Sequence, residues 1–461
     1  MRRIGWIKST LLVSAGMLLF CGQAGAVPLF ARQTGEACEA CHVSFPELTP
    51  FGRLFKLNGY TTGQNQWIPF AAMAQAGFTW VNKNHDDQDN LITPKTGRPE
   101  FSATSVFLGG KVTDNIGGLA QWTYNNLVVN PDGVSTTGHG SVDNTDLRAV
   151  GRHVSTQTMD EDWIYGVSVN NNPTVQDVWN STPAWGFPFT GPSNVPAPAA
   201  SAVVSGALAQ KVVGFGAYSF WRKSLYTEFS LYRTADGMFT FLRAGQSQPP
   251  GSVPALQGYN PYARIAYNRE WGGNSLMLGA YGLMVRMYPD NTMQFTPTDR
   301  YTDLALDAQF QHITNPHTYT FQASLIRERQ SYGASYPATL SGSPIGVGPT
   351  PANAADRLLT LKLKGTYYYQ RKYGATVALF STTGDADPGL YGPGSVSGSN
   401  NSSPNSHGYI LELNYVPIQY VRLMLQYTGY DKFNGMRTNY DGAGRDATNN
   451  NTLFLNLWVA Y

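Results

Sequence analysis

The chain has 461 residues and a formal net charge of +2, and 13% of its side chains are charged, whereas a soluble domain carries roughly 25%. Beyond residue 26 no run of about 18 apolar residues occurs, which excludes a bundle of membrane-spanning helices. The 13% aromatic content argues against disorder, three cysteines cannot build a disulfide scaffold, and a near-neutral chain is not a nucleic-acid binder. A transmembrane β-barrel fits this profile, because each of its strands has one apolar and one polar face.

The N-terminal residues have the layout of a secretory signal peptide. Basic residues precede a mainly apolar run at 11–20, and Ala24 and Ala26 provide the small residues of a cleavage site. A membrane anchor would need about 20 apolar residues. We therefore expect a signal peptide at 1–26, whose removal takes Cys21 with it and leaves two cysteines in an exported chain.

Those two cysteines belong to a C-x-x-C-H sequence formed by Cys38, Cys41 and His42, which is the attachment pattern of c-type haem. At this spacing the two thiols reach the two vinyl groups of the porphyrin, and the adjacent imidazole becomes the proximal ligand of the iron. A redox disulfide would belong in a βαβ unit, and no such unit follows the motif in the sequence. Structural zinc needs four ligands, and the sequence has no second Cys/His cluster to complete the set. We predict one covalent haem c.

The haem motif lies in a short segment, which we place at 27–67. Chains below about 40 residues rarely fold alone, and a haem has two large apolar faces to cover. The remainder of the chain, 68–461, must therefore complete the haem pocket. We expect a monohaem cytochrome c segment that plugs the lumen of a barrel.

From residue 68 onward, apolar and polar residues alternate between turn signals. In one candidate strand, Leu304 and Leu306 oppose Asp303 and Asp307. A soluble β-sandwich also alternates, but the strand lengths and the signal peptide favour an all-β, 16-stranded transmembrane β-barrel of the porin type. The candidate strands are 68–81, 98–112, 116–129, 143–154, 162–171, 211–221, 225–235, 261–271, 274–287, 299–313, 317–329, 357–371, 373–383, 407–416, 420–434 and 451–461.

The connections between these strands alternate between short ones, such as 113–115 and 222–224, and long ones, such as 82–97, 130–142 and 172–210. Outer-membrane barrels have short periplasmic turns and long extracellular loops. Because sixteen is an even number, both ends of the sheet lie on the periplasmic side. We therefore place the protein in the bacterial outer membrane, in contact with its lipid, with the haem segment at the periplasmic mouth or inside the lumen.

Met73 is our candidate for the distal ligand of the haem iron, since the second ligand of a c-type haem is usually His or Met. It is the first residue after the haem motif that combines a suitable sulfur with a predicted lumenal position. Met424, a loop histidine such as His85, and an open coordination site remain alternatives. Arg53 and Lys56 follow the motif and are expected to pair either with haem propionates or with lumenal carboxylates.

Several stretches resemble a known family. They are F-A-R-Q-T-G at 30–35, C-E-A-C-H at 38–42, F-P-E-L at 45–48, F-G-R-L-F-K at 51–56 and N-N-N-P-T-V-Q-D at 170–177. The chain resembles the fused monohaem cytochrome c–porin family of bacterial outer-membrane iron oxidases. The resemblance implies one covalent haem near the lumen, bound through Cys38, Cys41 and His42. It also implies electron transfer from extracellular Fe(II) to a periplasmic carrier such as a soluble cytochrome c.

The resulting prediction is an outer-membrane electron conduit, an oxidoreductase that needs no general acid, base or nucleophile because its chemistry is electron transfer. A second hypothesis keeps the conduit and changes the extracellular donor or acceptor. A third hypothesis belongs to another class, a porin for solute diffusion in which the haem segment acts as a gate.

Overall fold

The computed structural model describes residues 29–93, 99–129, 136–155, 161–186, 188–192, 195–243, 255–290, 292, 294, 297–336 and 350–461. The predicted signal peptide at 1–26 lies outside these residues. None of the described helices is long and apolar enough to cross a membrane.

The N-terminal segment contains three short helices: α1, Leu29–Thr34; α2, Cys38–Cys41; and α3, Pro50–Leu57. Between α2 and α3 the strands His42–Ser44 and Glu47–Leu48 form a small hairpin. Thr49 caps α3, because its side chain accepts a hydrogen bond from the backbone amide of Gly52, and Pro50 occupies the first turn, where its missing N–H is not needed.

Sixteen long antiparallel strands follow, and each pairs with its neighbours in chain order. The last strand pairs with the first through Ala460 and Met73 and through Thr452 and Val81, which closes the barrel. All sixteen predicted strands are confirmed. They are β1 Phe70–Val81, β2 Pro99–Lys111, β3 Ile116–Val129, β4 Thr136–Val154, β5 Glu161–Asn170, β6 Val212–Trp221, β7 Leu225–Thr234, β8 Asn260–Trp271, β9 Asn274–Tyr288, β10 Asp299–Ile313, β11 His317–Ser331, β12 Ala355–Tyr369, β13 Tyr373–Gly384, β14 Ser406–Ile418, β15 Val421–Lys432 and β16 Thr452–Ala460.

The barrel has an apolar outer wall and a polar interior. On β10, the outward side chains of Leu304 and Leu306 are each 60% exposed, whereas Asp303 and Asp307 are 1% and 4% exposed. This is the face assignment predicted from the alternation of the sequence. An outer wall of exposed Leu, Val, Phe and Tyr is stable in lipid and not in water, so the strands span a membrane.

The connections lie at two distinct ends of the barrel. The turns 112–115, 222–224, 272–273, 314–316, 370–372 and 419–420 lie at the periplasmic end, together with the first residue of β1 and the last residue of β16. The prediction of a long loop at 130–142 was wrong, because β4 begins at Thr136. Backbone pairing of Val128 with Thr137 and of Asn125 with His139 extends the ladder, and such pairing does not require alternating side chains.

The connection between β5 and β6 leaves the extracellular end and folds back into the barrel. Asn171, Thr174, Val178 and Trp179 are all buried. We call the stretch 171–192 the inner loop. Its described residues and helix α3 lie together in the lumen, where their side chains and those of the wall form a packed, largely polar core on the periplasmic side.

Candidate functional site

The C-x-x-C-H motif lies at the periplasmic mouth of the barrel. The backbone amide of Cys38 donates a hydrogen bond of 3.2 Å to Oε1 of Gln419, in the turn between β14 and β15. Nη1 of Arg371, in the turn between β12 and β13, donates to the carbonyl oxygen of Glu39 at 2.6 Å. Two periplasmic turns therefore fix helix α2 in place.

Helix α3 packs directly on the backbone of the motif. A Cβ atom on Gly52 would lie 2.3 Å from the carbonyl oxygen of Cys41, so this contact requires glycine. The amide of Thr49 donates to the same carbonyl oxygen at 2.9 Å. The start of α3 and the end of α2 thus form one compact unit that orients Cys41 and His42.

A cavity of about 340 Å³ adjoins this unit. Cys38, Cys41, His42 and Met73 all line it, so all four predicted site residues lie around one space. Its volume lies within the roughly 300–1,000 Å³ typical of small-molecule and cofactor sites. The other lining side chains include Phe30, Phe45, Phe55, Tyr60, Trp185 and Trp458.

Burial sets the protonation of the motif. Desolvation lowers the pKa of His42 to about 4. The polar backbone groups of Glu47 and Pro46 favour the protonated imidazole and offset part of this decrease in pKa. The imidazole is therefore neutral, and its Nδ1 has no hydrogen-bond partner of standard geometry among the described residues. Burial also raises the pKa of Cys38, and burial together with Cys38 raises that of Cys41 to about 11. The site presents a neutral imidazole, which is the form that ligates metals, and two free thiols.

Met73 comes to this cavity because β1 has the predicted register. Its side chain is buried, and Nε2 of Gln75 lies 3.8 Å from its sulfur. Met424 is also buried, but its sulfur lies 3.8 Å from Nη2 of Arg422 and it does not line the cavity. His85 lies in the β1–β2 loop at the extracellular end, where it pairs with Leu91. Of the three candidate distal ligands, the structure brings Met73 to the motif.

Arg53 pairs with a lumenal carboxylate, which is one of the two kinds of partner expected from the sequence. Its guanidinium forms a 3.0 Å salt bridge with Glu270 and donates to Gln311 at 2.7 Å and to Ser275 at 2.6 Å. These three partners lie on β8, β10 and β9. Arg53 therefore attaches helix α3 to the barrel wall.

Lys56 attaches α3 to the inner loop instead. Its Nζ donates to the carbonyl oxygens of Val175 at 2.8 Å and Asp177 at 2.5 Å, and to Oδ1 of Asn180 at 2.9 Å. It also lies 4.1 Å from the centre of the Trp185 ring, a cation–π contact. Desolvation lowers the pKa of Lys56 to about 7.

Sequence reasoning missed the contribution of the inner loop to the cavity. Asn180 and Trp185 both line it, and Trp185 stacks on Phe189, which in turn packs against Phe45 of the motif hairpin. The 172–210 stretch was predicted as an extracellular loop, and its Asn, Pro and Trp residues carry no periodic signal of burial. The length of this connection was the available signal, because long loops without regular structure are often functional.

No protein-family model and no curated protein matches the chain. Among solved structures, it is similar to the outer membrane channel DcaP of Acinetobacter baumannii, with a TM-score of 0.46 and 12% identity over 85% of this chain and 96% of that chain. It is also similar to Salmonella typhi OmpF in complex with daunomycin (TM-score 0.44, 9% identity, 85% and 97% covered). A third similar structure is an anion-selective porin from Comamonas acidovorans (TM-score 0.42, 9% identity, 85% and 98% covered).

The protein is an outer-membrane β-barrel of the porin type. Its closed sheet of sixteen strands, its apolar outer wall and its short periplasmic turns establish this assignment.

Proposed function

We propose that the protein is an outer-membrane electron conduit with one covalent haem c. Cys38 and Cys41 would hold the haem by thioether bonds, and His42 and Met73 would ligate its iron. The observation that carries the proposal is that these four residues line a single cavity at the periplasmic mouth. A haem bound there supplies a one-electron redox centre.

The residues of the chain would tune that centre in three ways. His42 is held neutral by burial, which leaves a nitrogen lone pair available to the iron. The aromatic side chains of the lining would shield the iron from water and favour its less charged, ferrous state. The hydrogen bonds from Cys38 to Gln419 and from Arg371 to Glu39 keep the motif at the mouth, where a periplasmic carrier such as a soluble cytochrome c would accept the electron.

We propose extracellular Fe(II) as the electron donor. The N-terminal stretches that resemble the cytochrome–porin iron oxidases include α2 and most of the hairpin and of α3. Ferric products precipitate near neutral pH, so a cell benefits from oxidising Fe(II) outside its periplasm. Another extracellular donor or acceptor would use the same cavity.

A solute-diffusion porin with the N-terminal segment as a gate is the second candidate, and the barrel architecture favours it. In such a porin, solutes would diffuse through the lumen of the barrel. Helix α3 and the inner loop fill the periplasmic half of the described lumen and are fastened by the buried side chains of Arg53 and Lys56. These contacts oppose free diffusion past the segment, so a porin of this kind would have to release them in order to open.

Stopped-flow mixing of the purified, oxidised, mature protein with Fe(II) in the absence of oxygen tests the proposal. We expect the absorbance of a reduced c-type haem to appear, and we expect Cys38→Ala/Cys41→Ala protein to keep its barrel and show no such signal. A haem that small reductants reduce and Fe(II) does not would exclude Fe(II) as donor. A purified barrel without covalent haem, together with rapid sugar uptake in liposome swelling, would favour the porin.

A further inference from the structure

Five arginines form a patch on the outer wall of the barrel, at the extracellular ends of four adjacent strands. Arg286 lies near the end of β9, Arg300 near the start of β10, Arg327 and Arg329 near the end of β11, and Arg357 near the start of β12. All five side chains are exposed. They have the same orientation as the outward Leu304 of β10 and Leu359 of β12, as the period-two alternation of a strand requires.

The strand register places these charges next to one another. Arg286 lies directly opposite Arg300, and Arg329 lies directly opposite Arg357. Arg327 is two residues from Arg329 on the same face. Opposed side chains on paired strands have Cβ atoms about 5 Å apart, and like charges at that distance destabilise a sheet. A compensating anion is therefore expected.

The described part of the chain does not provide that anion. None of the five guanidinium groups forms a salt bridge or a side-chain hydrogen bond within it. Asp385 is the residue that pairs by its backbone with Arg357, and Asp290 follows the end of β9. Neither carboxylate is within salt-bridge distance of the patch.

An apolar depression of about 550 Å³ adjoins the patch on the membrane side. Its lining includes the outward side chains of Ile265, Leu304, Leu306 and Leu325, and Arg327 lies at its edge. A cationic group above an apolar groove matches a molecule that carries an anion above hydrocarbon chains.

We propose that this surface binds a phosphate-bearing glycolipid of the outer leaflet, of the lipid A class. Arginine forks bind phosphate oxygens in a bidentate manner, and several adjacent forks suit a headgroup with more than one phosphate. The acyl chains lie along Leu304, Leu306 and Leu325. The lipid neutralises the opposed arginines, and this explains why β9 to β12 tolerate them. The site is independent of the haem cavity.

Lipid binding to the mature protein in detergent tests this proposal. The probe is bisphosphorylated, hexa-acylated lipid A, measured by native mass spectrometry against the same lipid without phosphates. We expect Arg329→Gln/Arg357→Gln to weaken lipid A binding by about tenfold or more, since two charge-assisted contacts are lost. The matched control is Arg222→Gln/Arg269→Gln, which removes two exposed arginines at the periplasmic end and is expected to bind as the wild type does.

Several outcomes would overturn the proposal. These are unchanged binding in the Arg329/Arg357 variant, an equal loss in the control, or equal binding of the lipid without phosphates. Competition by millimolar inorganic phosphate alone would assign the patch to a free anion, and an altered oligomeric state with unaltered lipid binding would assign it to a second copy of the chain. If the variant does not fold, as judged by heat-modifiable gel migration, the comparison of the two lipids on the wild-type protein still decides.

Discussion

The amide of Cys38 and the side chain of Gln419 are joined by a 3.2 Å hydrogen bond across 381 positions of sequence. It connects the first residue of the C-x-x-C-H motif to the periplasmic turn between β14 and β15. The motif is therefore positioned by the barrel as well as by its own segment. A segment this short gains its fixed geometry from such contacts, as its small core requires.

Gly52→Ala tests the contact between α3 and the motif. The new Cβ would lie 2.3 Å from the carbonyl oxygen of Cys41, and because that atom is backbone, the helix must shift. Overpacking of this kind costs about 1–3 kcal/mol. We expect less covalent haem per barrel, measured by haem absorbance normalised to protein.

The control for this substitution is Gly394→Ala. Its new Cβ would have its nearest neighbour at 3.8 Å, an ordinary contact, and Gly394 lies in the extracellular β13–β14 connection. We expect full haem content in this variant. Equal haem content in Gly52→Ala would show that α3 does not need its close approach to Cys41.

Met73→Ala tests the distal ligand. We expect the iron–sulfur charge-transfer band of the oxidised protein to disappear and the reduction potential to fall, because a thioether ligand favours ferrous iron. Met424→Ala is the matched control, since Met424 is equally buried in the lumen but does not line the cavity. An unchanged band in Met73→Ala would contradict the assignment.

The parts of this structure that were predictable from sequence depend on local patterns. Alternation with a period of two fixes which face of a strand meets lipid, so Leu304 and Asp303 were assigned correctly before any pairing was known. The same parity placed Met73 on the lumenal face of β1. Likewise, the C-x-x-C-H spacing alone singled out three residues that line one cavity together with Met73.

The remainder depends on long-range contacts that no local pattern records. Asn180 and Trp185 lie in a connection without periodicity, and they reach the cavity because Lys56, over a hundred positions earlier, binds the inner loop. Arg286 and Arg300 are ordinary residues in the sequence, and strand register alone makes them neighbours.

Lys56→Met tests whether the inner loop closes the lumen. Methionine keeps the length of the side chain and loses three hydrogen bonds to the loop. The Val175 carbonyl keeps the indole N–H of Trp185 as a donor, but the acceptors of Asp177 and Asn180 are left without one. Each such buried acceptor costs about 1–3 kcal/mol, so we expect the loop to detach from α3. The single-channel conductance in planar bilayers should rise at least severalfold.

Lys111→Met is the control for this measurement. Lys111 pairs with the exposed carboxylate of Asp114 at the periplasmic end of β2, and such surface pairs contribute little. We expect its conductance to equal that of the wild type. A Lys56→Met channel as closed as the wild type would show that other contacts hold the loop.

The pH dependence of docking of the N-terminal segment should report on Lys56. Burial, reinforced by the neighbouring charge of Arg148, lowers the pKa of Lys56 from its ordinary 10.5 to about 7 in the docked state. Between these two values the undocked segment binds a proton that the docked segment has lost, so docking becomes more favourable as pH rises. From pH 7 to pH 8 the gain is about 1 kcal/mol. Proteolysis of the segment at increasing urea concentrations measures this gain. From pH 7 to pH 8 the midpoint should rise clearly in the wild type and change much less in Lys56→Met, where a small contribution from the buried His42 remains. A midpoint with the same slope in both proteins would show that a different group titrates on docking.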